Sequence, residues 1–463
     1  MSRPNEPRQT EARQTEARHA RHINPAFIDL LGVFGYGRVY TRGEGCTLED
    51  DQGRRYLDAL SGFGALPLGH NHPALNARMA AFFTEGRVNL SHIGPAPEAA
   101  ALAEALSRLT GDQLSVSLFA NGGAEGVEAA LKLARLVTGR QSFLHCAGGY
   151  HGTSLATLSI LGEARMRAPF GPLLPSAAVP FGDAPALKAA LAGKAHAAFI
   201  VEPIQAEAGV ILPPHGYLAE AAALCRAAGT LFVLDEIQTG IGRTGALLAS
   251  TAEGVTPDLL VLGKGLSGGV SPISVALVRA DLHKRAYGTM DRFDLHSSTF
   301  GGNALAAEAA RETLRILEAD HLCAAADRVG RLLLSRLSRG LADHPFVLEV
   351  RGRGLLIGVA LGPKPGAGLL GRLAPGLVSR LSRQVFGQWL ALELLEAGFI
   401  AQPCALSWNV LKLEPPLTLP EAEALRLADA VIGILDRYRS VPALLQAVTR
   451  RLGEQAWRGG EFR

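Results

Sequence analysis

Lys264 stands in Val261-Leu262-Gly263-Lys264-Gly265-Leu266, one strand-helix-strand interval after Leu231-Phe232-Val233-Leu234-Asp235-Glu236. Both stretches read as short apolar strands, and each delivers an ionisable group just beyond its end. Buried parallel strands have this composition, and ligands of such sheets collect at the carboxyl ends of the strands. An amine and a carboxylate brought to that edge suit pyridoxal phosphate chemistry. The lysine would form an imine, and Asp235 would keep the pyridinium nitrogen protonated so that the ring accepts electrons. Alone, Lys264 would read as structural and Asp235 as a helix cap. The motifs around them point to a shared site.

Asn121-Gly122-Gly123-Ala124-Glu125-Gly126 follows the strand candidate 114–119 and opens a helix with apolar Val127, Leu131, Ala134 and Val137. Such a turn presents unpaired N–H groups and the positive end of a dipole to phosphate, although Gly-rich turns also serve as plain connections. In Gly148-Gly149-Tyr150-His151-Gly152, Tyr150 could lie flat on a ring or simply pack. Glu202-Pro203-Ile204-Gln205-Ala206-Glu207 brings two carboxylates to the same edge, and Gln238 adds an amide able to bond a ring hydroxyl. Ser297-Ser298-Thr299-Phe300-Gly301-Gly302-Asn303 is a hydroxyl-rich loop suited to phosphate.

The elements that must position these residues are legible from the apolar pattern. From 86 to 318, strand candidates alternate with Ala/Leu-rich helices: 114–119, 142–146, 197–201, 231–235, 259–262 and 274–278. This alternation predicts a doubly wound α/β domain. Residues 38–60 predict a small antiparallel sheet. Beyond 320 come amphipathic helices, strands at 346–351 and 355–361, and a last helix starting near Pro420. The two chain ends, 25–85 and 319–445, are therefore expected to form a smaller α+β domain. Residues 1–24, where Arg-Gln-Thr-Glu-Ala occurs twice, read as a polar tail, disordered or a frayed helix. Residues 446–463 read as a second tail.

The chain has 463 residues, 48% of them hydrophobic and 19% charged, which is ample for two domains. A net charge of +3 without a basic, aromatic-interleaved block gives no electrostatic case for nucleic acid. No uncharged apolar run is long enough to span a bilayer, so no membrane is expected. The five cysteines fall at no metal-ligand spacing and read as free thiols of a cytoplasmic protein, and no metal site is assigned.

Taken in order, the motifs resemble the class III (ω-type) aminotransferases, pyridoxal phosphate enzymes of fold type I. They run from Gly69-His70-Asn71-His72-Pro73 through Asn121–Glu128, Tyr150-His151-Gly152, Glu202-Pro203, Leu234–Gly240, Gly263-Lys264-Gly265 and Ser298–Asn303 to Pro415-Pro416-Leu417. The resemblance covers about 25–440. It implies pyridoxal 5′-phosphate as cofactor, Lys264 as imine lysine and proton shuttle, and Asp235 as ring-nitrogen partner. Gly123 and Ala124 would hold the phosphate, Tyr150 would stack, and Gln238 would reach the ring oxygen, with His151 and Glu202 in the same cofactor site. Thr299 would serve the phosphate of a neighbouring subunit, which makes the active unit a homodimer or larger.

Gly62-Phe63-Gly64, Val210–Pro214, Gly245 and Glu414–Thr418 look most like the putrescine (diamine) subfamily, which places Phe63 at the substrate. Two departures stand out. Ala124 replaces the usual threonine, removing a phosphate ligand. Lys412 replaces the arginine that grips a substrate carboxylate, and Glu207 occupies the position expected to pair with it. A lysine supplies charge but no bidentate fork. The expected reaction moves an amino group from a terminal amine or diamine to a keto acid or aldehyde. The alternatives are an ω-amino acid donor such as ornithine or 4-aminobutyrate, or an aminomutase.

Overall fold

A computed structural model describes residues 6–364, 386–440 and 446. The expected tail from 446 therefore lies outside the described residues, apart from 446 itself. At the other end the expected polar tail is helical over Glu6–His22, as its content of strong helix formers allows. A second helix, Pro25–Phe34, starts where Asn24 Oδ1 accepts the Phe27 N–H at 3.1 Å and stops at Gly35, whose φ is +71°.

The strands β1 (Tyr40–Glu44), β2 (Thr47–Asp50) and β3 (Arg55–Asp58) form the expected antiparallel meander. The central sheet contains β4 (Val116–Ala120), β5 (Ser142–Cys146), β6 (Ser176–Val179), β7 (His196–Val201), β8 (Leu231–Asp235), β9 (Leu259–Leu262) and β10 (Ser274–Val278). Its order is β4-β10-β9-β8-β7-β5-β6, and only β10 runs against its neighbours. The first strand begins two residues later than its apolar run, because the Leu114 N–H bonds Thr110 Oγ1 instead of joining the ladder.

Every residue of β8, β9 and β10 is buried. Successive side chains of a strand point to opposite faces, so an unbroken apolar run means that both faces are covered. Phe232, Leu234, Leu260 and Leu262 accordingly enter one core cluster, while Val233, Leu259 and Val261 enter the other. The helix Gly123–Thr138 lays Val127, Leu131 and Ala134 on the second.

The remaining strands are β11 (Val347–Arg353), β12 (Leu356–Leu361), β13 (Phe399–Ile400), β14 (Gln402–Cys404) and β15 (Ser407–Leu413). Four of them form an antiparallel sheet in the order β11-β12-β15-β14, while β13 pairs parallel with β3 and so ties the two chain ends together. The helix Glu421–Asp436 follows Pro420 as expected. Among the described residues no helix is long and apolar enough to cross a membrane.

Candidate active site

Asp235 is the last residue of β8 and Lys264 lies two residues beyond β9. The loops after β4, β5 and β7 emerge at the same end of the sheet, carrying the Gly-rich turn, Tyr150-His151 and Glu202. Asp235 Oδ2 lies 2.8 Å from His151 Nδ1, and Oδ1 accepts the Ile237 N–H at 3.0 Å. Burial pulls the His151 pKa down, but the hydrogen bond and charge of Asp235, with Glu202, outweigh it and raise it. His151 Nε2 is buried with no hydrogen-bond partner among the described residues.

Glu202 acts one step back from this pair. Its carboxylate accepts the N–H of Tyr150 at 2.9 Å and of Ala206 at 3.3 Å, holding the aromatic loop in place. Burial, reinforced by Asp235 and opposed by His151, pushes its pKa to about 7. Tyr150 itself is half-buried.

Gly123 opens the helix after β4, so the first N–H groups, including those of Gly123 and Ala124, have no intrahelical acceptor. Neighbouring segments press on this turn. A Cβ on Gly123 would sit 2.9 Å from Ile237 Cδ1, and one on Gly152 would sit 2.7 Å from Ala124 Cβ. Ser274 Oγ donates to Gly122 O at 2.7 Å, fixing the turn to β10.

Lys264 takes a left-handed φ of +41° and its Nζ donates to Gln238 Oε1. Burial, assisted by Lys412, lowers its pKa against the pull of Glu414, Glu207 and Asp235; a lowered amine pKa enlarges the nucleophilic fraction. Gln238 Nε2 donates to Glu207 Oε1 at 3.2 Å and to both oxygens of Glu414 at 3.2 and 3.0 Å. Lys412 Nζ donates to Glu207 Oε1 and lies 3.3 Å from Glu414 Oε2. The Glu207–Lys412 pairing read from the motifs is thus formed in the fold. Burial pushes the Glu207 pKa up, but Lys412, then Lys264, bring it down to about 2. Lys412 is raised because Glu414 and Glu207 outweigh its burial.

Phe63 faces Lys412, its ring centroid 5.4 Å from Lys412 Nζ. It belongs to four consecutive left-handed residues, Ser61 to Gly64. Two of these are not glycine, and each such residue costs on the order of 1 kcal/mol. Asp58 Oδ1 offsets this by accepting the N–H of Leu60 at 2.9 Å and of Ser61 at 2.7 Å. Thr299 stands apart from these groups and is exposed, while the neighbouring Ser298 Oγ accepts from Asn121 Nδ2 at 3.0 Å.

A model of the class-III aminotransferases matches residues 35–435. The chain belongs to the class-III aminotransferase family. It is 37% identical over 446 residues to the aminotransferase PigE of Serratia sp. (strain ATCC 39006), an alignment covering 89% of this chain and 52% of PigE. The chain therefore spans about half the length of that curated relative. The solved ornithine aminotransferase of Toxoplasma gondii ME49 is 32% identical with a TM-score of 0.76, covering 86% of this chain and 90% of that one. A PLP-bound amine transaminase from an uncultivated Pseudomonas species is 31% identical at TM-score 0.76, covering 86% and 95%.

The cofactor of this family is pyridoxal 5′-phosphate, and the residues present fit it. A buried carboxylate that would face a ring nitrogen, an amine, an amide, an aromatic side chain and a helix start that would take a phosphate lie at one edge. Two members of the cluster went unassigned in the sequence, Glu414 and Arg243. Arg243 is buried with Nε 3.9 Å from Glu414 Oε1. Strand alternation could have found Glu414, since it follows Lys412 by two residues and shares its face. No local pattern marks Arg243.

Proposed function

We propose that this class-III aminotransferase moves an amino group from a terminal primary amine or diamine to a keto acid or aldehyde. When bound, pyridoxal phosphate supplies an electron-poor ring that stabilises charge on the carbon bearing the amine. Lys264 Nζ would attach the cofactor and would carry the proton to and from that carbon. Asp235, oriented by His151, would hold a proton on the ring nitrogen, and the N–H groups of Gly123 and Ala124 would take the phosphate. Tyr150 would cover the ring face and Gln238 would reach the ring oxygen.

The observation that carries the donor class is the state of Lys412. Its ammonium is fully buried, paired with Glu207 and covered by Phe63. It offers a carboxylate no bidentate fork, a loss of about 1 kcal/mol or more relative to arginine. The test compares kcat/KM for putrescine, a longer alkyl amine, ornithine and 4-aminobutyrate, and repeats the panel with Lys412→Arg. The amines should lead in the wild type, and the substitution should favour the amino acids. If the amino acids lead and Lys412→Arg changes little, the assignment fails. The similarity to an ornithine aminotransferase favours the second reading, an ω-amino acid donor.

Assembly as a homodimer is supported by an exposed apolar surface. Phe83, Val88 and Ile93 are exposed, as are Met290, Phe293 and Phe300. The two segments meet where Asn89 accepts the N–H groups of Ala304 and Leu305 at 3.0 and 2.9 Å. Apolar surface of this kind marks an interface, and it adjoins exposed Thr299, which would serve the partner's phosphate. A fully active monomer by light scattering would exclude this arrangement. The five free thiols suit the cytoplasm.

A further inference from the structure

Lys412 faces two carboxylates, and they are held by different elements. Glu207 sits on the loop after β7, tied by the Ala405 N–H at 2.8 Å and by Gln238. Glu414 directly follows β15 and is fixed from several sides. Its own N–H donates to Ala59 O at 2.7 Å, both its oxygens accept from Gln238 Nε2, and Arg243 Nε lies 3.9 Å away. Gly64 packs so tightly on it that a Cβ there would lie 2.4 Å from Glu414 Oε1. Neither Lys412 nor Glu414 exposes any surface.

A carboxylate reaching Lys412 would have to displace Glu207, whose Oε1 accepts from Lys412 and Gln238 and whose Oε2 accepts the Ala405 N–H. It would still meet Glu414, an anion already 3.3 Å from the same ammonium. Like charges brought together in a buried site repel strongly, and specificity is commonly built from such repulsion. We propose that Glu414 is a specificity-determining residue: a fixed second counter-ion that keeps Lys412 from receiving a substrate carboxylate even when Glu207 leaves. This rests on the donor reading given above and names the residue that enforces it.

The test measures binding of glutarate, an unreactive dicarboxylate, to the cofactor-loaded enzyme by calorimetry. Wild type should bind it weakly or without saturation. Glu414→Gln preserves shape and should tighten binding by at least about tenfold, and adding Lys412→Gln should remove the gain. Glu207→Gln should give no comparable gain, because Glu414 stays on Lys412. The proposal is overturned if wild type binds glutarate as tightly as Glu414→Gln, if Glu207→Gln alone produces the gain, or if the gain survives loss of Lys412. Should Glu414→Gln not fold, the Glu207→Gln arm decides: a gain overturns the proposal and its absence supports it. The donor panel is a separate readout. Wild type preferring ornithine or 4-aminobutyrate would end the donor reading, whereas the glutarate series answers for Glu414 alone.

Discussion

His151 Nδ1 and Asp235 Oδ2 lie 2.8 Å apart, and both side chains are buried. The contact joins the loop after β5 to the end of β8, so the group that would face the ring nitrogen is held by an element two strands away in the sheet order. A charge-assisted bond of this kind is stronger than a neutral one. It fixes the orientation of the Asp235 carboxylate.

Removing the imidazole leaves Asp235 Oδ2 without its donor. His151→Ala should destabilise the fold by about 1–3 kcal/mol, and the loss should depend on pH. The folded pKa of His151 is raised above 6.5, so the folded state binds the proton more tightly. Its contribution is fully present below pH 6.5 and is lost as pH rises through the raised folded value. Thermal denaturation of both proteins across pH should show the difference narrowing on the alkaline side.

Glu202 gives a second pH signature. Its pKa is raised from 4.5 to about 7, so the folded state again binds the extra proton and stability falls as pH rises from 4.5 to about 7. Glu202→Gln, which cannot ionise, should flatten that part of the stability profile. An unchanged slope would mean that the carboxylate is better solvated than its burial indicates.

Lys264 and Asp235 should separate by readout. In Lys264→Ala, borohydride should no longer fix the cofactor to the peptide carrying residue 264, and turnover should fall by several orders of magnitude, roughly 10³-fold or more. Asp235→Asn should keep the cofactor while slowing proton removal from the substrate carbon by about 10²-fold or more. Single-turnover kinetics with a deuterated donor distinguish the two. Unchanged rates in Asp235→Asn would place the ring-nitrogen partner elsewhere.

The phosphate turn should respond to small changes of shape. Ala124→Thr restores a hydroxyl and should tighten cofactor binding by about 1 kcal/mol, measured by equilibrium titration. Gly152→Ala places a Cβ 2.7 Å from Ala124 Cβ on a backbone with φ +114°, and should cost about 1–3 kcal/mol of stability. If Gly152→Ala melts like wild type, the loop is looser than its packing indicates.

The order and edge of the site were legible in the chain before any tertiary contact. Short apolar runs such as 231–235 and 259–262 can be buried only in a sheet covered on both faces, and the ionisable residue ending each run then falls at the ligand-binding edge. Asp235, Lys264 and the glycines around 122–126 follow from that logic. The substrate side did not. Lys412 meets Glu207 across 205 residues of chain, and Gln238 reaches Glu414 across 176. The state of Lys412 depends on Glu414 at the end of its own strand and on Glu207 brought to it from the central sheet, and the position of Phe63 depends on a left-handed turn held by Asp58. Periodicity records which face a side chain takes within its own element. Which buried charges meet, and what each becomes there, is decided only when the elements pack.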